Sequence, residues 1–222
     1  VNANTGIAVG MASNICSFNL KEICDTTITL MKNPEHDILE TLPGPDFSTG
    51  GELLFDEAAT REVYSTGRGS FKLRAKWHYV KDGNLIEITE IPYTMIGFGI
   101  NKFLEDVASL VESKKLPEIV DISNQSDKHG MRIVLELKKD ADIDKITNIL
   151  YKKTKLEDTF GVNMLAIVGG RPETLDLKGI LSNYLDFQYE NQTKKYNVLL
   201  AKALDKQEVE EGLIRACDVI DE

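Results

Sequence analysis

Lys72, Arg74 and Lys76 alternate with Phe71, Leu73, Ala75 and Trp77. On an extended strand such cations share one face at about 6.5–7 Å intervals. That spacing is comparable to neighbouring phosphates of a nucleic-acid backbone. Arg68 adds a fourth cation in the glycine turn Thr66–Ser70, where a side-chain-free backbone can also approach a phosphate. A groove using three to five of these cations would weaken with salt along a log–log slope of about −3 to −5. The same stripe also reads as a solvated outer strand face. The charge is local: Gly67 to Lys81 holds five cations and no acid, whereas Asp205 to Glu222 holds seven acids and the whole chain is −10. That balance excludes nucleic-acid binding as a property of the whole surface and confines it to one stretch.

Other constellations do not complete. Asp140, Asp142 and Asp144 begin like a calcium loop, but Lys145 stands where glycine is needed and Tyr151 where the final glutamate belongs. They read instead as favourable charge near a helix N-terminus. His36, His78 and His129 lack zinc spacing. Gly67-x-Gly69 and Gly97-x-Gly99 lack the rest of a nucleotide-binding signature. Cys16, Cys24 and Cys217 form no CxxC pair, which suits a reducing compartment. No apolar run reaches membrane-span length. The chain starts at Val1 in mid-pattern and reads as a piece of a longer protein.

The elements that must position these residues follow from periodicity. Val1 to Leu20 is too glycine-rich for an ordinary helix and too apolar for a surface loop; by its residues it is a buried apolar strand ending in a turn at Asn14-Ile15. Asn19 and Glu22 make a capping box for a helix with an apolar face of Leu20, Ile23, Cys24, Thr27, Ile28 and Met31. A short helix over about Asp56–Tyr64 leads into the glycine turn. One strand runs from Phe71 to Tyr79, turns at Asp82-Gly83 and returns over Leu85–Ile91. Helices through Ile100–Val111 and Ile143–Leu150 flank a strand at Met131–Lys138. Val162–Val168 reads as a buried strand before the Gly169-Gly170 turn. From Leu177 the pattern stays helical beyond ordinary globular length. The fold class is α+β, a mixed or antiparallel sheet with packed helices, divided into 1–176 and a helical arm over 177–222.

Beyond the strand, several short motifs occur in a fixed order. They are Gly6-Ile7-Ala8-Val9-Gly10-Met11-Ala12 with Asn14-Ile15, Pro43-Gly44-Pro45-Asp46-Phe47, and Tyr64-x-Thr66-Gly67-Arg68-Gly69-Ser70. They continue with Glu90-Ile91-Pro92-Tyr93, Ser126-Asp127-x-x-Gly130-Met131-Arg132-Ile133 and Phe160-Gly161-Val162-Asn163-Met164. Across nearly the whole chain this set resembles the A subunit of bacterial type IIA topoisomerases, gyrase and topoisomerase IV. The resemblance implies a tower domain, following the winged-helix domain, and the start of a coiled-coil arm. It implies that Ile15 wedges between base pairs and bends DNA, with Asn14 beside it also a DNA-binding residue and Arg68, Lys72, Arg74 and Lys76 as backbone contacts. The family follows this isoleucine with two prolines and a histidine, where this chain has Cys16-Ser17-Phe18. The resemblance places the strand-cleaving tyrosine, which directly follows an arginine, upstream. None of Tyr64, Tyr79, Tyr93, Tyr151, Tyr184, Tyr189 or Tyr196 follows one. The stretch is thus expected to carry no catalytic residue, to be inactive alone, and to belong to an ATP-dependent isomerase of the cytoplasm. ATP and Mg2+ would sit on a partner B subunit, and the A subunits would form a homodimer. The rival reading is a non-enzymatic module that dimerises through its long helix and meets protein partners with its acidic surface.

Overall fold

A computed structural model describes residues 2–220. In chain order its elements are β1 (Asn4–Ala8), β2 (Met11–Ile15), α1 (Leu20–Lys32), α2 (Ile38–Thr41), β3 (Glu52–Leu54), α3 (Glu57–Thr66), β4 (Arg68–Arg74), β5 (Lys76–Val80) and β6 (Leu85–Glu90). There follow α4 (Gly99–Glu112), β7 (Ile119–Asn124), β8 (Ile133–Leu137), α5 (Ile143–Lys153), β9 (Glu157–Asn163), β10 (Leu165–Val168), β11 (Arg171–Thr174) and α6 (Leu177–Ile220). All named strand pairs are antiparallel and the class is α+β.

Two sheets carry the first of two compact units, Val1–Lys178. One has the order β1-β2-β9-β4-β3, the other β5-β6-β8-β7, and β10-β11 is a separate hairpin. The four-stranded sheet buries Ile86, Ile88, Ile133 and Leu135 against Phe103 and Val107 of α4 and Ile146 and Leu150 of α5. This is the alternation of a half-buried antiparallel sheet meeting amphipathic helices. The five-stranded sheet buries Phe71, Leu73, Phe160 and Val162. Phe160 lies 5.0 Å from Phe47 and 5.9 Å from Tyr93, ring centre to ring centre. The rigid Leu42–Phe47 connection therefore ends in an aromatic cluster.

Several sequence expectations are corrected. The strand predicted over Phe71–Tyr79 is two strands in two sheets, interrupted at the buried Ala75, whose N–H donates to the Leu156 carbonyl. Strict alternation specifies a pleat but not which neighbours each half pairs with. Arg68 opens β4 rather than lying in the turn. The run predicted over Val162–Val168 likewise breaks at buried Met164, whose N–H donates to the Gly67 carbonyl. The opening segment is an exposed hairpin, with Ile7 87% and Val9 104% exposed, rather than a buried strand. In α1 the buried residues are Thr26 and Leu30, while Leu20, Cys24, Ile28 and Met31 are exposed. Its Asn19 cap is as expected, accepting from the Lys21 and Glu22 N–H groups.

Gly67 ends α3 at φ +70°. A Cβ there would stand 2.0 Å from the Leu175 carbonyl oxygen, so both conformation and space demand glycine. The second unit, Gly179–Glu222, holds most of α6. Tyr196, Leu199, Leu200, Ala203 and Leu204 recur on it at helical spacing and are exposed. Among the described residues no helix is long and apolar enough to cross a membrane.

Candidate nucleic-acid interface

β9 is the centre of the site, because β2 and β4 pair with its two edges. Arg68 faces Asn163 across β4 and β9, and Asn163 faces Asn14 across β9 and β2. Directly opposed residues of an antiparallel pair project to the same side. Arg68, Asn163 and Asn14 therefore form one row, extended by Thr5 on β1. The row spans about 14 Å at ordinary strand spacing.

Along β4 the side chains of Arg68, Ser70, Lys72 and Arg74 alternate with Gly69, Phe71 and Leu73, the latter two buried. The basic stripe is thus real but shifted: Arg68 joins it and Lys76 leaves it for the other sheet. Arg68 and Lys72 are exposed and, among the described residues, make no ion pair. The Arg68 guanidinium donates to Thr174 Oγ1 at 3.3 Å. Arg74 is differently placed. Its Nε donates to Glu157 at 2.6 Å, and its guanidinium lies 4.5 Å from the centre of the Tyr151 ring, whose hydroxyl accepts from Trp77. Lys76 is 3.4 Å from Glu90. Both charges are already partnered, which weakens them as phosphate contacts.

Ile15 closes β2 and is half-buried. The next three residues, Cys16, Ser17 and Phe18, are buried. Ser17 Oγ donates to the Asp46 carbonyl at 2.6 Å, and the Asp46 N–H donates back to the Ser17 carbonyl at 2.9 Å. Phe18 packs against Tyr64, ring centres 6.1 Å apart. Burial pushes the Cys16 thiol up from 9.0 to about 12, so it is a small hydrophobe here, not a nucleophile. Tyr64 is buried, and its hydroxyl donates to the Leu42 carbonyl; desolvation raises its pKa well above the ordinary phenol value.

The residue that sequence reasoning passed over is Asn163, present in a motif but given no role. Its signal was a lone amide ending the otherwise apolar alternation of Phe160 and Val162. Asp142 caps α5 by accepting from the Lys145 N–H, and Asp144 lies in the first turn of that helix. Among the described residues no group of three His, Cys, Asp or Glu is placed to hold a metal ion. A cleft lined by His36, Asp37, Arg61 and Tyr64 contains none of the candidate residues, and Arg61 there is paired with Asp37 and Glu57, both at 2.9 Å.

The sequence pattern of the DNA gyrase/topoisomerase IV A subunit matches residues 1–222. The DNA gyrase A subunit of Clostridium acetobutylicum is 45% identical over 230 residues, covering 100% of this chain and 27% of the relative. Its counterpart from Halalkalibacterium halodurans is 42% identical over 229 residues, with 100% and 27% covered. That of Synechocystis sp. is 40% identical over 233 residues, with 100% and 26% covered. The chain therefore spans about a quarter of the length of the curated relatives it matches. With a whole-chain match to one family and identity of this order along its full length, the chain belongs to the family of DNA gyrase and topoisomerase IV A subunits.

Proposed function

We propose that this chain is the tower region of a type IIA topoisomerase A subunit with the beginning of its helical arm, and that it grips and bends the DNA segment to be cut. The observation that carries the reading is the placement on one sheet of two cations without an ion pair, Arg68 and Lys72, on the face shared by Asn14, while Ile15 ends β2 on the alternate side of the strand. The cations hold phosphates and set register. Ile15 inserts at a base step, where the cost of unstacking is offset by the backbone contacts that bending allows. Strand cleavage by a tyrosine, ATP hydrolysis and Mg2+ chemistry belong to other parts of the enzyme, including the B subunit. In this reading the chain alone cuts nothing, and the intact enzyme is an ATP-dependent isomerase of the bacterial cytoplasm. The exposed apolar residues of α6 support an arm that associates with another helix, consistent with a homodimer of A subunits.

The test is binding to a duplex of about 30 base pairs by fluorescence anisotropy across a salt series. Two unpaired cations predict a log–log slope of about −2, shallower than the full stripe would give. An Arg68→Glu, Lys72→Glu double variant should lose that binding at moderate salt. Lys76→Glu should change it far less. Equal behaviour of the wild type and the double variant would remove β4 from the interface.

A further inference from the structure

β2 is joined to β9 by one backbone pairing only, Asn14 opposite Asn163. The contrast with its neighbours is large: β1 and β2 pair over five residue couples, β4 and β9 over seven. A ladder that short does not fix a strand. Side chains span the gap instead. Asn14 Nδ2 donates to the Gly161 carbonyl of β9, and Asn163 Nδ2 donates to the Ala12 carbonyl of β2 at 2.6 Å. The two amides reach past each other, each to the main chain two residues before its opposite number. Thr5 Oγ1 donates to Asn14 Oδ1 at 2.6 Å, which locks the orientation of that amide. Ser13 Oγ adds a bond to the Leu165 carbonyl at 2.8 Å.

We infer that this reciprocal amide clasp is the mount of Ile15, and that Asn163 and Asn14 are positioning residues for DNA bending rather than DNA contacts. The inference rests on the reading of Ile15 as a wedge. Ile15 lies between two anchors: the clasp at Asn14, and the buried, hydrogen-bonded Cys16-Ser17-Phe18. An inserted side chain transmits force only if its strand cannot slide; a loosened β2 would move before a base step opened. The small-residue hairpin ahead of it, exposed along β1, is no substitute. The anchoring that two prolines would supply by fixing φ is supplied here by burial on one side and amides on the other.

The experiment compares the full chain with Ile15→Ala, Asn163→Ala and the double variant. It reads affinity by anisotropy and bending by energy transfer between dyes at the two ends of the duplex. Asn163→Ala should reduce the bending signal as much as Ile15→Ala does, while Kd stays within about threefold of wild type. The double variant should lose nothing more, since both changes interrupt one device. Amide hydrogen exchange without DNA should quicken in residues 4–15 of Asn163→Ala and nowhere else. If Asn163→Ala does not fold, Asn14→Ala removes the other half of the clasp and must show the same split. Bending retained in Asn163→Ala but lost in Ile15→Ala overturns the clasp alone. Bending retained in Ile15→Ala overturns the wedge and the clasp's role together. Affinity falling in step with bending would make Asn163 a general structural residue, which also overturns the inference.

Discussion

Cys16 shows how one buried residue ties the site to stability. Its thiol keeps its proton to about pH 12 in the folded chain, against 9.0 without burial. Between those values the unfolded chain has released a proton that the folded chain retains. Folding is therefore fully favoured below about pH 9 and loses up to about 1.4 kcal/mol per pH unit as pH rises toward 12. Urea midpoints measured from pH 8 to pH 9.5 should fall with pH, chiefly through Cys16; above that range Tyr64, with an ordinary value of 10.0 raised by burial, adds a loss of the same sign. Cys16→Val should flatten that slope. The same burial predicts selective chemistry: Cys24 and Cys217 are exposed and should react with a thiol reagent in the native chain, while Cys16 reacts only on unfolding.

Among the elements, the β4 strand depends on how α3 ends. The left-handed Gly67 turns the chain out of the helix, and its carbonyl accepts from Met164, the residue at which β9 gives way to β10. One residue thus sets where the basic stripe starts and where the neighbouring strand stops. Gly67→Ala should destabilise the chain by about 2 kcal/mol or more, because it combines an unfavourable φ with a collision against the Leu175 carbonyl. Thermal unfolding measures this directly. A sizeable further loss of DNA affinity at a temperature where the variant remains folded is expected, since Arg68 is the next residue.

For the molecule as a whole, the two compact units divide the work. The first holds both sheets and every candidate DNA residue, whereas the acidic run from Asp205 lies on α6 in the second. A chain shortened to residues 1–178 should therefore fold cooperatively and bind duplex DNA with the same salt slope as the full chain. Circular dichroism and the anisotropy series would show both. A shortened chain that folds but binds no DNA would transfer the interface to α6. If neither chain binds DNA, the dimerising-module reading gains over the DNA-gripping one.

The α+β class, the long helix, the Asn19 cap, the acidic start of α5 and the hairpin of β5 and β6 were all legible in order along the chain. These features depend on local period and local hydrogen bonding, which sequence spacing encodes directly. Even there the structure refined the detail: the Asp82-Gly83 hairpin turns through a short 3-10 segment, and Asn84 rather than Gly83 takes the left-handed conformation. Family membership was legible too, because ordered motifs do not depend on knowing what they touch. What tertiary structure alone decided was partnership. Alternation through Lys72, Arg74 and Lys76 could not reveal that the strand changes sheets at Ala75. Nor could it reveal that Glu157, on β9, and Glu90, across the hairpin, occupy two of the three cations. Asn163 gained its role only when β9 came between β2 and β4, 149 residues from Asn14 in sequence but directly opposite it in the sheet. Periodicity states which way a side chain points; only the packed chain states what it meets there.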